Sequence, residues 1–197
     1  MSVAPAGDTL LIMKLIALSG SLRRASLNTA LLRAAAALAP DGVALELHTL
    51  HGIPLYDGDE EATQGIPAAV TTLREAIRAA DGVLIATPEY NNSIPGVLKN
   101  GLDWLSRPSG EGARLFGGKP VAVVGATPGG FGTILAQDAM LGVLRAFGCD
   151  CWFGGRLMVS GATAAFDAEG RLTDDKLIAQ LRTYVAGFAA HVKQRST

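Results

Sequence analysis

The stretch "LSGSLRRASLNTALLRAAAAL", residues 18–38, leads from an apolar run through a short polar loop into a helical pattern. The apolar run "KLIAL" at 14–18 predicts a buried strand, and the alanine- and leucine-rich segment predicts a helix. The start of a helix carries unpaired N–H groups and a partial positive charge, which favour the binding of phosphate. The alternative is an ordinary helix cap, with Ser26 as the N-cap and Arg23 and Arg24 in solvent.

The same alternation of apolar runs and helical patterns continues along the chain. It predicts parallel β-α-β units with helices on both faces of a sheet. Strands are predicted at 14–19, 43–50, 82–88, 119–127 and 151–160. Helices are predicted at 27–39, 67–80, 95–106, 132–147 and 174–192.

Five strands and five helices are typical of the α/β class, and specifically of a flavodoxin-like three-layer sandwich with a five-stranded parallel sheet in the order 2-1-3-4-5. A full dinucleotide-binding Rossmann sheet usually has about six strands. In both arrangements ligands bind beyond the carboxyl ends of the strands, so loops 1, 3 and 4, which follow strands of the same number, are the candidate sites. Residues 13–197 are expected to form one domain, and residues 1–12 a flexible extension.

Composition narrows the classes of partner. The chain has 197 residues and a formal net charge of −1, which gives little support to nucleic-acid binding or to an anionic membrane surface. We expect no signal peptide and no membrane span, and a cytoplasmic protein. Cys149 and Cys151 are expected to be reduced strand residues, and the three histidines are too dispersed to predict a metal site.

Loop 1 differs from the dinucleotide fingerprint. The register from Gly20 reads "GSLRRA" instead of G-x-G-x-x-G, and strand 2 ends in Thr49 and Leu50 instead of an acidic residue. The loop offers side-chain donors and a cation, which match the oxygens and charge of a terminal phosphomonoester. These candidate phosphate residues are Ser19, Ser21, Arg23, Ser26, Asn28 and Thr29. Loop 1 therefore predicts a mononucleotide.

Loop 3 begins the segment "TPEYNNSIPGVLKNGLDWLSRP" at 87–108. It is predicted to form a wall for a flat polar ring, with backbone N–H groups from the Tyr90–Ser93 turn and apolar contact from the Tyr90 ring. The alternative is an elaborate turn formed by Asn91 and Asn92. The apolar residues of 97–107 cover more than one face of the next helix, which predicts a second subunit packed over this site.

Loop 4, "GATPGGFGT" at 125–133, contains Gly129 and Gly130, which are expected to expose successive N–H groups as an anion-binding nest. Thr127 adds a hydroxyl. The segment "GARLFGGKP" at 112–120 resembles a triphosphate loop but precedes a strand, so it is interpreted as a plain loop. The acidic run "DGDEE" at 57–61 is interpreted as a solvated loop or the rim of a dimer.

Three motifs together resemble the NAD(P)H-dependent FMN reductase family, in particular its quinone and chromate reductase branch. They are "GSLRRASLN" at 20–28, "IPLYDGD" at 53–59 and "PEYNNSIPGVLKNGLDWLSR" at 88–107. The resemblance implies FMN as cofactor, NADPH or NADH as co-substrate, and a homodimer or homotetramer with the flavin between subunits. Beyond loop 1, it assigns the ring to Pro88, Glu89, Tyr90 and Asn91, and the pyrimidine edge of the ring to Gly129 and Gly130. The composition of loops 3 and 4 adds Asn92, Ser93 and Thr127 to the candidate residues. The helix "AQDAMLGVLRAFG" at 136–148 is less polar than in many relatives, which weakens the tetramer expectation.

The resemblance also implies the reaction. Hydride would pass from the nicotinamide through flavin N5 to quinones, with chromate and azo compounds as further acceptors, so no catalytic side chain and no metal are predicted. One open flavin face shared by both substrates predicts ping-pong turnover. The alternatives are an FMN-binding electron carrier or redox-sensing subunit without nicotinamide turnover, and a nucleotide-processing enzyme. The small net charge argues against a carrier, since carriers of this fold are typically strongly acidic.

Overall fold

The computed structural model describes residues 12–195 as a parallel sheet between two layers of helices. The strands are β1 (Met13–Ser19), β2 (Val43–His48), β3 (Gly82–Ala86), β4 (Pro120–Ala126), β5 (Asp150–Cys151) and β6 (Met158–Val159). The helices are α1 (Leu27–Ala37), α2 (Gly58–Gln64), α3 (Ala68–Ala79), α4 (Gly96–Leu105), α5 (Glu111–Phe116), α6 (Ile134–Phe147) and α7 (Asp175–Arg195). A short 3-10 helix follows β6 at Ala162–Ala165. The strand order β2-β1-β3-β4-β5 confirms the predicted flavodoxin-like sheet.

The sheet separates two apolar cores. Every residue of β3 is buried, as expected for a central parallel strand with helices on both faces. One core packs the sheet against α1 and α7, with Leu31 and Phe188 fully buried. The other packs it against α3, α4, α5 and α6, with Ile77 and Phe116 fully buried. Both cores lie below the carboxyl ends of the strands, so the loops at that edge rest on a rigid base.

Two short helices differ from the prediction. The sequence indicates a solvated loop or a dimer rim for the acidic run at 57–61, whereas the structure has most of it in α2, where Asp57 caps the helix by accepting a hydrogen bond from the Asp59 N–H at 2.8 Å. The segment at 112–120 was also interpreted as a loop, but its first part belongs to α5. Neither helix has more than seven residues, which is too short for an apolar periodicity to be recognised in the sequence. In addition, α2 buries none of its residues.

The single fifth strand predicted at 151–160 is wrong in its middle part. The chain pairs with β4 up to Trp152, whose N–H donates to Val121 O at 2.9 Å. It then leaves the sheet and returns at Leu157, whose carbonyl accepts from the Gly125 N–H at 3.2 Å. Between these points the Tyr184 hydroxyl donates to Val123 O at 2.9 Å. A tyrosine side chain from α7 thus replaces part of the missing strand.

The second apolar face of α4 is covered by the same chain, so the argument that it needs a second subunit is wrong. Trp104 is only 1% exposed, packs edge-to-face on Tyr56 at 5.0 Å between ring centroids, and donates its Nε1–H to Pro54 O at 2.9 Å. Asn100 binds the same segment twice, through the Tyr56 N–H and the Pro54 carbonyl, both at 2.8 Å. The motif at 53–59 therefore serves as a strap over α4.

Two further expectations concern the ends of the chain and membranes. The predicted extension at 1–12 lies outside the described residues except for Ile12, which has no regular secondary structure. Within residues 12–195, none of the helices is both long and apolar enough to cross a membrane.

We expect Trp104→Ala to lower the free energy of unfolding by about 3–5 kcal/mol, because it removes a buried ring and leaves a cavity under the strap. Trp104→Phe keeps a ring but loses the bond to Pro54, and should cost less. Urea denaturation of the two variants and of the exposed control Phe153→Ala measures this. A Trp104→Ala protein as stable as the control would show that the strap adds nothing.

Candidate cofactor-binding site

The carboxyl ends of β1, β3 and β4 surround a cavity of about 100 Å³. Its walls come from loops 1, 3 and 4, as the topology predicts. The lining residues are Ser21, Arg23, Ser26, Leu27, Asn28, Pro88, Glu89, Tyr90, Ala126, Thr127 and Pro128. The predicted site residues outside this lining are Ser19, Thr29, Asn91, Asn92, Ser93, Gly129 and Gly130.

The start of α1 faces this cavity with unpaired donors. Ser26 is the N-cap, and its Oγ accepts from the Thr29 N–H at 3.2 Å. No described residue accepts the N–H of Leu27 or Asn28, as expected for the first turn of a helix. Ser19 and Thr29 are buried below, joined hydroxyl to hydroxyl at 2.7 Å. The helix start therefore combines a serine cap with free N–H groups, so the cap is compatible with the predicted anion site.

The two arginines of loop 1 differ in position. Arg23 lines the cavity, whereas Arg24 does not. Both are exposed, so the difference is one of direction and not of burial. Arg23 is the cation that the geometry associates with the helix start.

Gly20 positions loop 1 without lining the cavity, and the sequence patterns did not single it out. Its N–H donates to Ala86 O at 2.8 Å, which ties loop 1 to the end of β3. A Cβ at this position would lie 2.8 Å from Leu98 Cδ2 and 3.1 Å from Ala86 O. Only glycine allows this approach, and its place directly after a buried strand is the signal that could have revealed it.

Loop 3 contains a two-residue turn. The Tyr90 N–H donates to Ser93 O at 3.0 Å, and the Ser93 N–H donates to Tyr90 O at 3.1 Å. Asn91 and Asn92 have φ values of 51° and 64°, typical of the two central residues of a tight hairpin turn. The alternative that these asparagines form a turn is confirmed. Of the N–H groups of the Tyr90–Ser93 turn that are predicted to face a ligand ring, the turn itself uses those of Tyr90 and Ser93.

Glu89 caps α6. Its Oε2 accepts from the Leu135 N–H at 2.8 Å and from the Ala136 N–H at 3.0 Å. The residue before α6, Thr133, makes no capping bond with its own side chain, so the carboxylate of loop 3 supplies the negative charge that a helix start favours. The Glu89 side chain thus fixes loop 3 to α6, while no described residue accepts its backbone N–H.

Loop 4 differs from the predicted nest. The Gly129 N–H donates to Thr127 Oγ1 at 3.3 Å, and the positive φ values lie later, at Gly132 (60°) and Thr133 (66°). Gly125 explains this course, because a Cβ there would lie 1.9 Å from Thr133 Oγ1. The Asn28 side chain also contacts the start of loop 4, where it exchanges two hydrogen bonds with Ala126.

Other reactive residues lie away from this cavity. Burial raises the pKa of the Cys149 thiol to about 12 and also raises that of Cys151, so both thiols are protonated and poor nucleophiles near neutral pH. His51 donates its Nε2–H to Leu22 O at 3.1 Å and so supports loop 1 from the end of β2. Among residues 12–195 no group of histidine, cysteine and acidic side chains could hold a metal ion.

The fold agrees with what comparison with known proteins shows. The family described as NADPH-dependent FMN reductase matches residues 13–164. The chain belongs to this family, and is therefore an oxidoreductase that uses FMN and a nicotinamide nucleotide.

Individual relatives give the same result. The chain is 48% identical over 164 residues to an NAD(P)H-dependent FMN reductase of Pseudomonas aeruginosa, covering 83% of this chain and 86% of the relative. It is 37% identical over 183 residues to a 2-hydroxy-1,4-benzoquinone reductase of a Burkholderia species, covering 93% and 98%. Among solved structures, the flavoenzyme NAD(P)H:(acceptor) oxidoreductase FerB of Paracoccus denitrificans superimposes with a TM-score of 0.81 at 34% identity, covering 93% of this chain and 99% of that one.

We expect Arg23→Ala to weaken FMN binding by about 1.5–3 kcal/mol, the usual contribution of hydrogen bonds to a charged group. Arg24→Ala is the matched control and should cost much less, because Arg24 does not line the cavity. Fluorescence titration of the flavin-free proteins measures both. Equal losses would mean that the phosphate is not held by Arg23.

Proposed function

We propose that this protein transfers hydride from NAD(P)H to quinones, with the FMN phosphate held in the cavity at the start of α1. The observation that carries this proposal is the convergence of the Arg23 side chain, the Ser21 hydroxyl and the free N–H groups of Leu27 and Asn28 on one small cavity. Bound FMN supplies the two-electron chemistry that side chains cannot. The residues of the chain bind and orient the cofactor and its substrates.

The size of the cavity supports a terminal phosphate as the enclosed group. At about 100 Å³ it is far smaller than the roughly 300–1,000 Å³ of pockets that enclose whole ligands. We therefore expect loop 1 to surround the phosphate, while the flavin ring lies between loops 3 and 4. The Glu89 N–H is a donor for the polar edge of the ring, the half-exposed Tyr90 ring offers apolar contact, and Thr127 contributes a hydroxyl.

The remaining predicted residues are assigned supporting roles. Ser19 and Thr29 stabilise the floor of loop 1 through their mutual hydrogen bond. Asn91, Asn92 and Ser93 fix the direction of the loop 3 turn. Gly129 and Gly130 shape loop 4 beside the pyrimidine edge. In this proposal few side chains contact the cofactor directly, and many support the loops that do.

Quinones are the proposed acceptors because a relative of 37% identity is a benzoquinone reductase. Chromate and azo compounds are proposed as further acceptors, since an open site imposes little shape selection. An FMN electron carrier is the second candidate, and the net charge of −1 disfavours it, because little charge is available to steer a protein partner. Because the reaction consumes NAD(P)H, we place the protein in the cytoplasm.

We propose a homodimer, with a tetramer as the alternative, formed through the surface beside loop 4. Phe131 is 80% exposed, and Ile134, Leu135 and Leu141 are also exposed. This apolar surface adjoins the cavity, because Glu89 binds the first turn of α6. A second subunit here would bury apolar side chains and narrow the open side of the flavin site.

We expect ping-pong kinetics, because the nicotinamide and the quinone would occupy the same open face in turn. Initial rates over a grid of NADPH and benzoquinone concentrations should give parallel double-reciprocal lines. Intersecting lines would show that both substrates bind at once.

We expect a higher kcat/KM for NADPH than for NADH, since Arg24 does not line the cavity and is available to bind a 2′-phosphate. The flavin-free protein is the control and should show no turnover.

A further inference from the structure

The ladder between β3 and β4 stops just before the cavity. The two strands pair in register from Val83 opposite Val121 to Ala86 opposite Val124, and the last bond runs from the Thr87 N–H to Val124 O at 2.9 Å. If the same parallel pattern continued, the Ala126 carbonyl would accept from the Glu89 N–H, and the Ala126 N–H would donate to Thr87 O. The strands separate instead.

The Asn28 side chain takes the place of these missing partners. Its Nδ2–H donates to Ala126 O at 2.8 Å, and its Oδ1 accepts from the Ala126 N–H at 2.9 Å. Asn28 is 3% exposed and Ala126 is 2% exposed, so these bonds are shielded from solvent. On the other side of β4, Gly125 and Thr127 donate to Leu157 and Val159. Loop 4 therefore begins fully paired without any contribution from loop 3.

We propose that Asn28 is a positioning residue. Its side-chain amide pairs with the N–H and the carbonyl of Ala126 in place of β3, and this pairing keeps the Glu89 N–H available to the flavin ring. Because Asn28 pairs with Ala126 in place of β3, a gap remains between Pro88 and Ala126, and both of these residues line the cavity. This inference rests on the proposed function and changes one role assigned by resemblance. The Asn28 side chain holds loop 4 to α1, and only its backbone N–H faces the phosphate.

The chemistry of the position is specific to an amide. A carboxylate would place an acceptor against the Ala126 carbonyl, and an apolar side chain would leave two buried backbone groups unpaired. Both changes should move loop 4 relative to loops 1 and 3. The effect should therefore reach the ring part of the flavin, not its phosphate alone.

The test compares FMN with riboflavin, which has the same ring but no phosphate. In fluorescence titrations Asn28→Ala should weaken both ligands by a common factor of about tenfold or more, since two hydrogen bonds of ordinary strength are lost. Arg23→Ala should weaken FMN only. A selective loss of FMN affinity in Asn28→Ala would make Asn28 a phosphate ligand and overturn the proposal, and unchanged affinity for both ligands would also overturn it.

Asn100→Ala is the matched control. It loses two side-chain amide bonds of the same kind, at 2.8 Å each, but on the strap at Pro54 and Tyr56. We expect it to lower stability while leaving both flavin affinities within about twofold, because Asn100 does not line the cavity. An equal loss of affinity in this control would show that any buried amide bond has the same effect and would overturn the assignment.

Hydrogen exchange on the flavin-free protein gives a readout that needs no ligand. Asn28→Ala should raise amide exchange over residues 126–130, and Asn100→Ala should not. If Asn28→Ala fails to fold, Asn28→Asp serves instead, since it keeps the acceptor for the Ala126 N–H. Unchanged exchange in the folded variant would overturn the proposal. If the wild-type protein binds neither flavin, but Asn28→Ala still raises amide exchange over residues 126–130, the proposed function is contradicted. The role of Asn28 in ordering loop 4 then stands.

Discussion

The site depends on the point at which the ladder between β3 and β4 ends. An interior strand of a parallel sheet uses its backbone N–H groups in hydrogen bonds to its two neighbours. While this pairing continues, the strand has no free N–H group for a ligand. After the bond from Thr87 to Val124, the strands separate, and the buried backbone of Ala126 needs another partner. The Asn28 amide provides it, so both backbone groups of Ala126 stay paired where the three loops separate.

The charged groups beside the starts of α1 and α6 favour α1 as the site for an anion. The helices α1 and α6 follow loops 1 and 4, which line the cavity, and each helix start favours negative charge. The Glu89 carboxylate already binds the first turn of α6, so that position is filled by the chain itself. The start of α1 has no such carboxylate; its first turn contains no acidic residue, and Arg23 lies beside it. We therefore propose loop 1 as the phosphate site, and the Glu89 side chain holds loop 3 beside it.

Much of this arrangement could be predicted from the sequence. The count of five alternating strands and helices predicted the flavodoxin-like strand order, and that order predicted that loops 1, 3 and 4 lie together. Individual side-chain roles were harder, because they depend on contacts between distant residues. Asn28 was expected to face the phosphate, but its partner lies 98 residues away. Likewise, the two-sided apolar pattern of α4 is the same whether a second subunit or the Tyr56 strap covers it. The short helices α2 and α5 lack any periodic signal.

The measurement that tests this account most directly is the binding of FMN, riboflavin and FAD to the flavin-free wild-type protein under one set of conditions. A cavity built around a terminal phosphate predicts one FMN per chain and an affinity for FMN at least about tenfold above that for riboflavin, since several charge-assisted hydrogen bonds are lost without the phosphate. FAD should also bind more weakly, because its phosphate is not terminal. Riboflavin or FAD binding as tightly as FMN would contradict the assignment of loop 1 as the phosphate site.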